Sequence, residues 1–442
     1  MGVQMTGFLL ASAIAVQAFV HPGVLNNKFE LEYAKAQVAA GAQPWKAAFV
    51  KMVSLPEASL AYTPKPRADV GCGSASNPDY GCSDEKRDSQ AAYLHALLWA
   101  VGGDKQHAVK CAAILDAWSA VLKTHYLSNA HLQAGWTGGP FVRAAEILRS
   151  TYPEWGKVSQ DRFSAMLTTA FLPNVKDGQS TGTNGNWETV MTETLMSIAV
   201  FQDDQALFDK GVALYKRRLP AYIYLGADGP MPMTVDSARF SSPDKVIAHW
   251  FGQKKFMDGL SQETCRDLMH TQWGIGGLLN SAEIAWKQGI DLYSLSGGRL
   301  LAGMEFHAPF LMGAKVPADL CGGSLGSADY KPMWEVGYNH FHDWMKQPMP
   351  NTEALLKKNR PETYDHAWGF GTLSHAGMGA SGEVWNGGNI AVRPWRRASA
   401  GAASAGMRIF DLRGREIAVT GIGGVTPATG VSIQAPRFHI SP

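Results

Sequence analysis

From about residue 28 to residue 360, apolar side chains return every three or four positions. Segments such as KFELEYAKAQVAAG, SQAAYLHALLWAVGG, KQHAVKCAAILDAWSAVL, GPFVRAAEILRSTY, ETVMTETLMSIAVF and QETCRDLMHTQWGIGGLLNSAEIAWKQG carry this pattern, which is the period of a helix with one face turned to a core. Convincing strand-like alternation is absent from the same stretch. Gly103-Asp104 and Asp203-Asp204 each separate two helical runs, so consecutive helices are predicted to fold back as antiparallel hairpins. Repeated hairpins over this length make either an open solenoid or a closed toroid. The long Gly-rich, aromatic connections PNVKDGQSTGTNGNW and LGADGPMPMTVDSARFSSPDK favour the toroid, because rim loops of that kind can reach over a central cleft. The expectation is an all-α fold, an (α/α) toroid built as an incomplete barrel of helical hairpins, over residues 19–395.

Both ends depart from this pattern. Residues 1–18 are apolar and finish in Val16-Gln17-Ala18, which reads as a secretory leader and places the product outside the cytoplasm, secreted or periplasmic. It is too short to cross a bilayer, which takes about 20 apolar residues, so no membrane association is expected. Residues 396–442 open with the small-residue linker ASAGAASAG and continue into IFDLRGREI, a strand-turn-strand pattern that predicts a small β appendage.

Composition narrows the chemistry. The 442 residues are 45% hydrophobic, enough for a large core, and only 18% charged, with 14 Trp and 13 Tyr. A formal net charge of +2 excludes the broad basic excess of a nucleic-acid binder, so an anionic partner has to be met by local geometry. The five cysteines lack metal-ligand spacing, and neither metal nor cofactor is implied. Cys72 and Cys82 bracket a short polar loop and form a plausible disulfide; Cys265 with Cys321 is the second pairing, and Cys111, within a helical pattern, is a buried thiol.

Two segments stand out. Thr183-Asn184-Gly185-Asn186-Trp187-Glu188 delivers two amides, an indole and a carboxylate to a helix start, either as a simple cap on Asn186 or as donors to a ligand oxygen at the positive end of a helix. In SQETCRDLMHTQW, Gln262, Arg266, His270 and Trp273 recur at helical spacing and share one polar face if the run is helical, and the glycines of GIGGLLNSAEIAW imply close packing. His249, Tyr222, Tyr224 and Tyr338 are further candidates, and Trp136 in QAGWTGG is a possible stacking surface for a sugar ring. No nucleophile elbow, Walker loop, zinc-protease or kinase motif is present.

With FVHPGVL, AGAQPW, NGNWE, SQETCRDLMHTQ, AEIAWKQGIDLY and EVGYNHFH in this order, the chain resembles the alginate lyase superfamily of helical-toroid polysaccharide lyases, in the branch that includes glucuronan and alginate lyases. The resemblance implies β-elimination on a uronic-acid polymer, with the anionic polysaccharide as partner and a monomeric enzyme. It assigns the carboxylate-binding asparagine to Asn186, helped by Asn184, and the arginine to Arg266. His270 or His249 is then a base or stabiliser, and Tyr338 the proton-shuttling tyrosine, since Trp273 stands where the better-known relatives carry a tyrosine. Trp136, Trp187, Glu188, Gln262, Tyr222 and Tyr224 are the expected substrate contacts. Two rivals stay open: a glycoside hydrolase using Glu188 with Glu263 or Asp236, and a non-catalytic glycan binder.

Overall fold

The computed structural model describes residues 18–177, 184–381 and the dipeptides 409–410 and 416–417. The expected leader therefore lies almost wholly outside the described residues, as do Thr183 and most of the C-terminal segment. In the main body the elements run α1 (Lys28–Ala39), α2 (Trp45–Val53), β1 (Asp69–Cys72), β2 (Asp79–Tyr80), α3 (Cys82–Leu97), α4 (Lys105–Val121), β3 (Thr124–Tyr126), α5 (Ala130–Thr151), α6 (Lys157–Met166), α7 (Leu172–Val175) and α8 (Gly185–Phe201). They continue through α9 (Gln205–Tyr222), α10 (Pro243–His249), α11 (Leu268–Lys287), α12 (Leu292–Leu295), α13 (Arg299–Leu311), α14 (Trp334–Tyr338), α15 (Pro350–Asn359), β4 (Tyr364–Asp365), β5 (Trp368–Gly369) and α16 (Gly371–Ser374).

Helix neighbours define two layers. α3, α5, α8 and α11 pack side by side in sequence, while α4, α9 and α13 back them, with α6 packed on α4 and α15 on α13. α8 and α11 are buried along nearly their whole length, as expected of helices enclosed on every side. This is the all-α toroid that the periodicity implied. Asp104 and Asp204 cap α4 and α9, accepting from the amides of Gln106 and Leu207 at 2.9 Å each. The inner helices approach closely because α11 carries glycines: a Cβ on Gly277 would lie 2.7 Å from the backbone of Thr189. At the ring's seam Tyr93 donates to Asn26 at 2.9 Å, and Lys287 of α11 forms buried ion pairs with Glu30 and Glu283.

The disulfides Cys72–Cys82 and Cys265–Cys321 are both present and Cys111 is a buried free thiol. Two readings need correction. A three-stranded sheet ordered β2-β1-β3, with Gly71 opposite both Tyr80 and Tyr126, sits inside the helical stretch; strands of two to four residues are too short to leave an alternating signature. Likewise α11 starts at Leu268, with the Asp267 carboxylate accepting from the His270 amide at 2.7 Å. Gln262 and Arg266 thus precede the helix in a turn pinned by the Cys265 disulfide, and do not share a face with His270 and Trp273.

Residues Ala398–Pro442 form a separate unit. Its strands β6 (Ile409–Phe410) and β7 (Glu416–Ile417) pair antiparallel, Ile409 opposite Ile417. No helix among the described residues is long and apolar enough to cross a membrane.

Candidate active site

The turn before α11 places Glu263 at the N-terminus of α8. Its carboxylate is fully buried and collects donors from three elements. Asn186 gives its amide nitrogen at 2.7 and 2.9 Å and its backbone N–H at 3.0 Å. The Tyr222 hydroxyl donates at 3.1 Å and the Arg266 guanidinium at 2.9 Å. Glycines make the seat for Tyr222: a Cβ on Gly185 or Gly274 would fall 2.0 or 1.9 Å from its ring or hydroxyl. Burial, then the neighbouring Glu263 charge, push the phenol well above its ordinary pKa, so Tyr222 remains a proton-bearing donor.

Asn186 and Arg266 do meet, as the sequence implied, but around an internal carboxylate. Asn186 is 1% exposed and its amide nitrogen is committed to Glu263, so it does not itself grip a substrate acid. Nor does it cap the helix: Asn184 holds the cap position, without a side-chain cap bond. Arg266 keeps 30% of its side chain exposed. Asn184 is half-buried; its Oδ1 accepts from Gln262 at 3.1 Å, which leaves the amide nitrogen as its donor end. The Asn184 amide nitrogen and the exposed part of the Arg266 guanidinium are thus not taken up by Glu263 or Gln262.

Other expected contacts prove structural. Gln262 is buried, accepting from the Gly185 amide at 3.0 Å and donating to the His249 carbonyl at 2.7 Å, so it ties two loops together. Glu188 is fully buried in ion pairs with Arg217 and Arg218. Tyr224 sends its hydroxyl to the Gly229 carbonyl at 2.6 Å within a satellite apolar cluster around Trp250. Tyr338 belongs to α14, stacked on His342 with the Arg360 guanidinium over its ring. Trp187 is half-buried beside the Asn184 turn. His249 is half-buried, packed on Phe240; burial and the positive charges of Arg218 and Arg239 lower its pKa to about 4, so it is neutral at neutral pH.

Beyond Arg266, α11 leads to an aromatic wall. His270 pairs through Nδ1 with Asp267 at 2.7 Å; although burial opposes ionisation, bonds from His270 hold the Asp267 pKa below the usual carboxylate range. The His270 ring lies 5.0 Å from Trp273, and Trp273 lies 5.5 Å from Trp136. On the other side of Trp273, at 4.7 Å, is His366, which also contacts Trp136 at 4.5 Å. Two Asp–His pairs thus flank one indole, since His366 Nδ1 bonds to Asp365. Lys86 lies over the Trp136 ring at 5.3 Å and Lys331 over Trp273 at 6.0 Å. His366 lines a cavity of about 540 Å³ with Lys51, Lys86, Arg87, Tyr330 and Asp365.

Sequence reasoning missed His366, Asp365, Lys86 and Lys331, and read Glu263 only as a hydrolase carboxylate. The signal available was the tight turn YDHAWG, which sets an Asp-His pair between aromatic residues.

The sequence matches the family model described as alginate lyase over residues 76–316. No curated protein matches it. Among solved structures, alginate lyase A1-III from Sphingomonas species A1 aligns with a TM-score of 0.55 at 15% identity, covering 80% of this chain and 97% of that one. An alginate lyase from Bacteroides ovatus aligns at 0.52 with 14% identity, covering 81% and 100%. A variant of alginate lyase A1-III complexed with tetrasaccharide aligns at 0.51 with 16% identity, covering 74% and 88%.

Proposed function

The chain belongs to the alginate lyase family, and from that premise we propose that this polysaccharide lyase cleaves mannuronan or glucuronan by β-elimination in the cleft between Arg266 and His366. The observation that carries the substrate class is a local one. In a chain of net charge +2, Lys86 and Lys331 lie over the Trp136 and Trp273 rings, and Arg266 borders the same wall through Asp267 and His270, the surface an acidic sugar chain asks for: cations for its carboxylates and ring faces for its C–H groups.

β-Elimination needs the carboxylate next to C5 neutralised so that the C5 proton becomes acidic, that proton removed, and the leaving glycosidic oxygen protonated. Arg266 and Asn184 serve the first need, with Glu263 holding the guanidinium in place. Lys86 and Lys331 meet the carboxylate of a neighbouring sugar. The hydrolase alternative fares worse, because Glu188 and Glu263 are both fully buried and engaged by other side chains and neither faces a scissile bond. The enzyme acts as an exported monomer in this reading, and the two disulfides suit an oxidising compartment.

Incubation with polymannuronate, polyguluronate and glucuronan, following the ultraviolet absorbance of unsaturated ends, tests the reading. Absorbance is expected with polymannuronate or glucuronan; new reducing ends without it would mean hydrolysis and overturn the proposal. Lys86→Ala is expected to raise KM roughly tenfold with kcat little changed, because a contact made equally in ground and transition states affects binding alone. Steady-state kinetics on the active polymer check this, and an unchanged KM would remove Lys86 from the substrate path.

A further inference from the structure

β-Elimination in this cleft requires a group that exchanges a proton near neutrality, and the position beside Arg266 and His270 is held by Trp273, whose indole is a donor only. Directly against that indole stands His366. We propose that His366 is the catalytic base and acid of the elimination, oriented by Asp365 and fixed by a second ring of contacts from the inner helices; this rests on the lyase reading above.

The geometry is that of a built proton-transfer group. Nδ1 is bonded to the Asp365 carboxylate, and Asp365 is in turn paired with Lys331 at 2.6 Å. An ionised Asp accepts from Nδ1–H, which leaves the Nε2 lone pair for the cavity that His366 lines. The backbone is held on both sides of the ring. The His366 carbonyl accepts from Gln90 of α3, and the Ala367 carbonyl accepts from the buried Arg143 of α5 at 2.7 Å. His366 itself has φ of 49°, a left-handed conformation costly for a residue with a Cβ, and such conformations persist where the surroundings impose them. Burial, together with the Lys86 and Lys331 charges, lowers the imidazole pKa against the pull of Asp365, so the ring enters the reaction neutral. The same sources act on Asp365: despite burial, His366 and Lys331 hold it to about 2.

The step balances on one residue. The Nε2 lone pair takes the C5 proton, and the C5–H electrons become the C4–C5 double bond. The bond from C4 to the glycosidic oxygen breaks with its electron pair going to oxygen. The imidazolium then returns its Nε2 proton to that oxygen, which becomes the new reducing-end hydroxyl, and neutral His366 is restored. A single group can do this only where C5–H and C4–O lie on the same face of the ring. Mannuronate and glucuronate have that arrangement; guluronate has them on opposite faces.

The test compares His366→Ala, His366→Gln and Asp365→Asn with wild type on the active polymer, with thermal melts to show that each is folded. His366→Ala and His366→Gln are expected to lose at least a thousandfold in kcat with KM within threefold, and added imidazole is expected to restore part of the His366→Ala rate. Asp365→Asn is expected to fall between these variants and wild type. Wild type is expected to act on polymannuronate or glucuronan and to leave polyguluronate intact. If a folded His366→Ala keeps more than a tenth of wild-type kcat, or if guluronate is cleaved as fast as its epimer, the assignment to His366 is wrong. If His366→Ala does not fold, the imidazole-free rate of His366→Gln decides in the same way. A wild-type enzyme producing no unsaturated ends on any uronan would instead overturn the lyase reading beneath it.

Discussion

Glu263→Ala is expected to destabilise the protein by about 3–5 kcal/mol, the usual cost of removing one partner from a buried charged cluster, and to abolish turnover. The carboxylate is fully buried, and its loss leaves the Asn186 amide and one face of Arg266 without an acceptor, while the Tyr222 hydroxyl keeps only its longer bonds to the His270 and Thr271 carbonyls. Desolvation of these donors, rather than any lost apolar area, sets the size of the effect. Glu263→Gln keeps the volume and one acceptor oxygen, so it is expected to cost less in stability, yet to lower kcat strongly because the guanidinium is no longer held by a fixed charge. Urea unfolding of the three proteins, followed by steady-state rates, separates these outcomes. Unfolding midpoints that coincide for wild type and Glu263→Ala would show that the cluster does not hold the helix ends together. On the same grounds Asn186→Ala is expected to lose stability as well as activity, whereas Arg266→Ala, at a side chain 30% exposed, is expected to lose activity with the smaller change in folding.

How far the sequence could be read depended on the range of the interaction. The toroid was legible because α3, α5, α8 and α11 each repeat an apolar period over many turns, and that period is a local property. Asp104 and Asp204 marked helix starts for the same reason. Asn186 and Arg266 were rightly placed together by their motifs, yet nothing local told that Glu263, three residues before Arg266, would turn inward and take both donors. That outcome depends on Gly185 and Gly274 admitting Tyr222 between α8 and α11, a contact between segments far apart in the chain. His366 was hidden more completely. The residues around its turn, Gln90 of α3, Trp136 and Arg143 of α5, Trp273 of α11 and Lys331, come from four separate segments, and its own sequence context is a turn of a few residues with no period at all. Tyr338 shows the converse error: a polar-looking cluster, GYNHFH, proved to be helix packing around Arg360 and His342.

A steep loss of stability on mild acidification is the second large effect expected. Burial lowers the pKa of His307, His340 and His375 to about 4 each, and burial with the adjacent His107 and Lys110 lowers that of His95 to about 3. In the unfolded chain each imidazole titrates near 6.5. Between pH 6.5 and 4 the unfolded state therefore binds protons that the folded state refuses, and stability falls as pH falls. Two carboxylates work in the opposite sense: burial and the charge of Glu335 raise Glu362 to about 8, and burial raises Glu30 against the charge of Lys287, so folding takes up protons there. His107, His249 and His366 are lowered in the same sense as these four imidazoles, while Asp88 and Glu305 are raised like the two carboxylates; the imidazoles outnumber the carboxylates, so unfolding takes up protons on balance in this window. His125, whose pKa is raised by Glu85 in spite of its burial, works in the opposite sense, adding stability that is present below 6.5 and lost as pH rises through its folded pKa. Thermal melts at constant ionic strength from pH 7.5 to 4.5 are expected to show Tm dropping progressively below pH 6.5. His307→Asn, which removes a buried imidazole that is bonded to Thr264 at 2.8 Å, is expected to flatten that slope by about one proton while lowering Tm at neutral pH. A Tm that stays level down to pH 5 would mean that these histidines do not remain neutral inside the toroid.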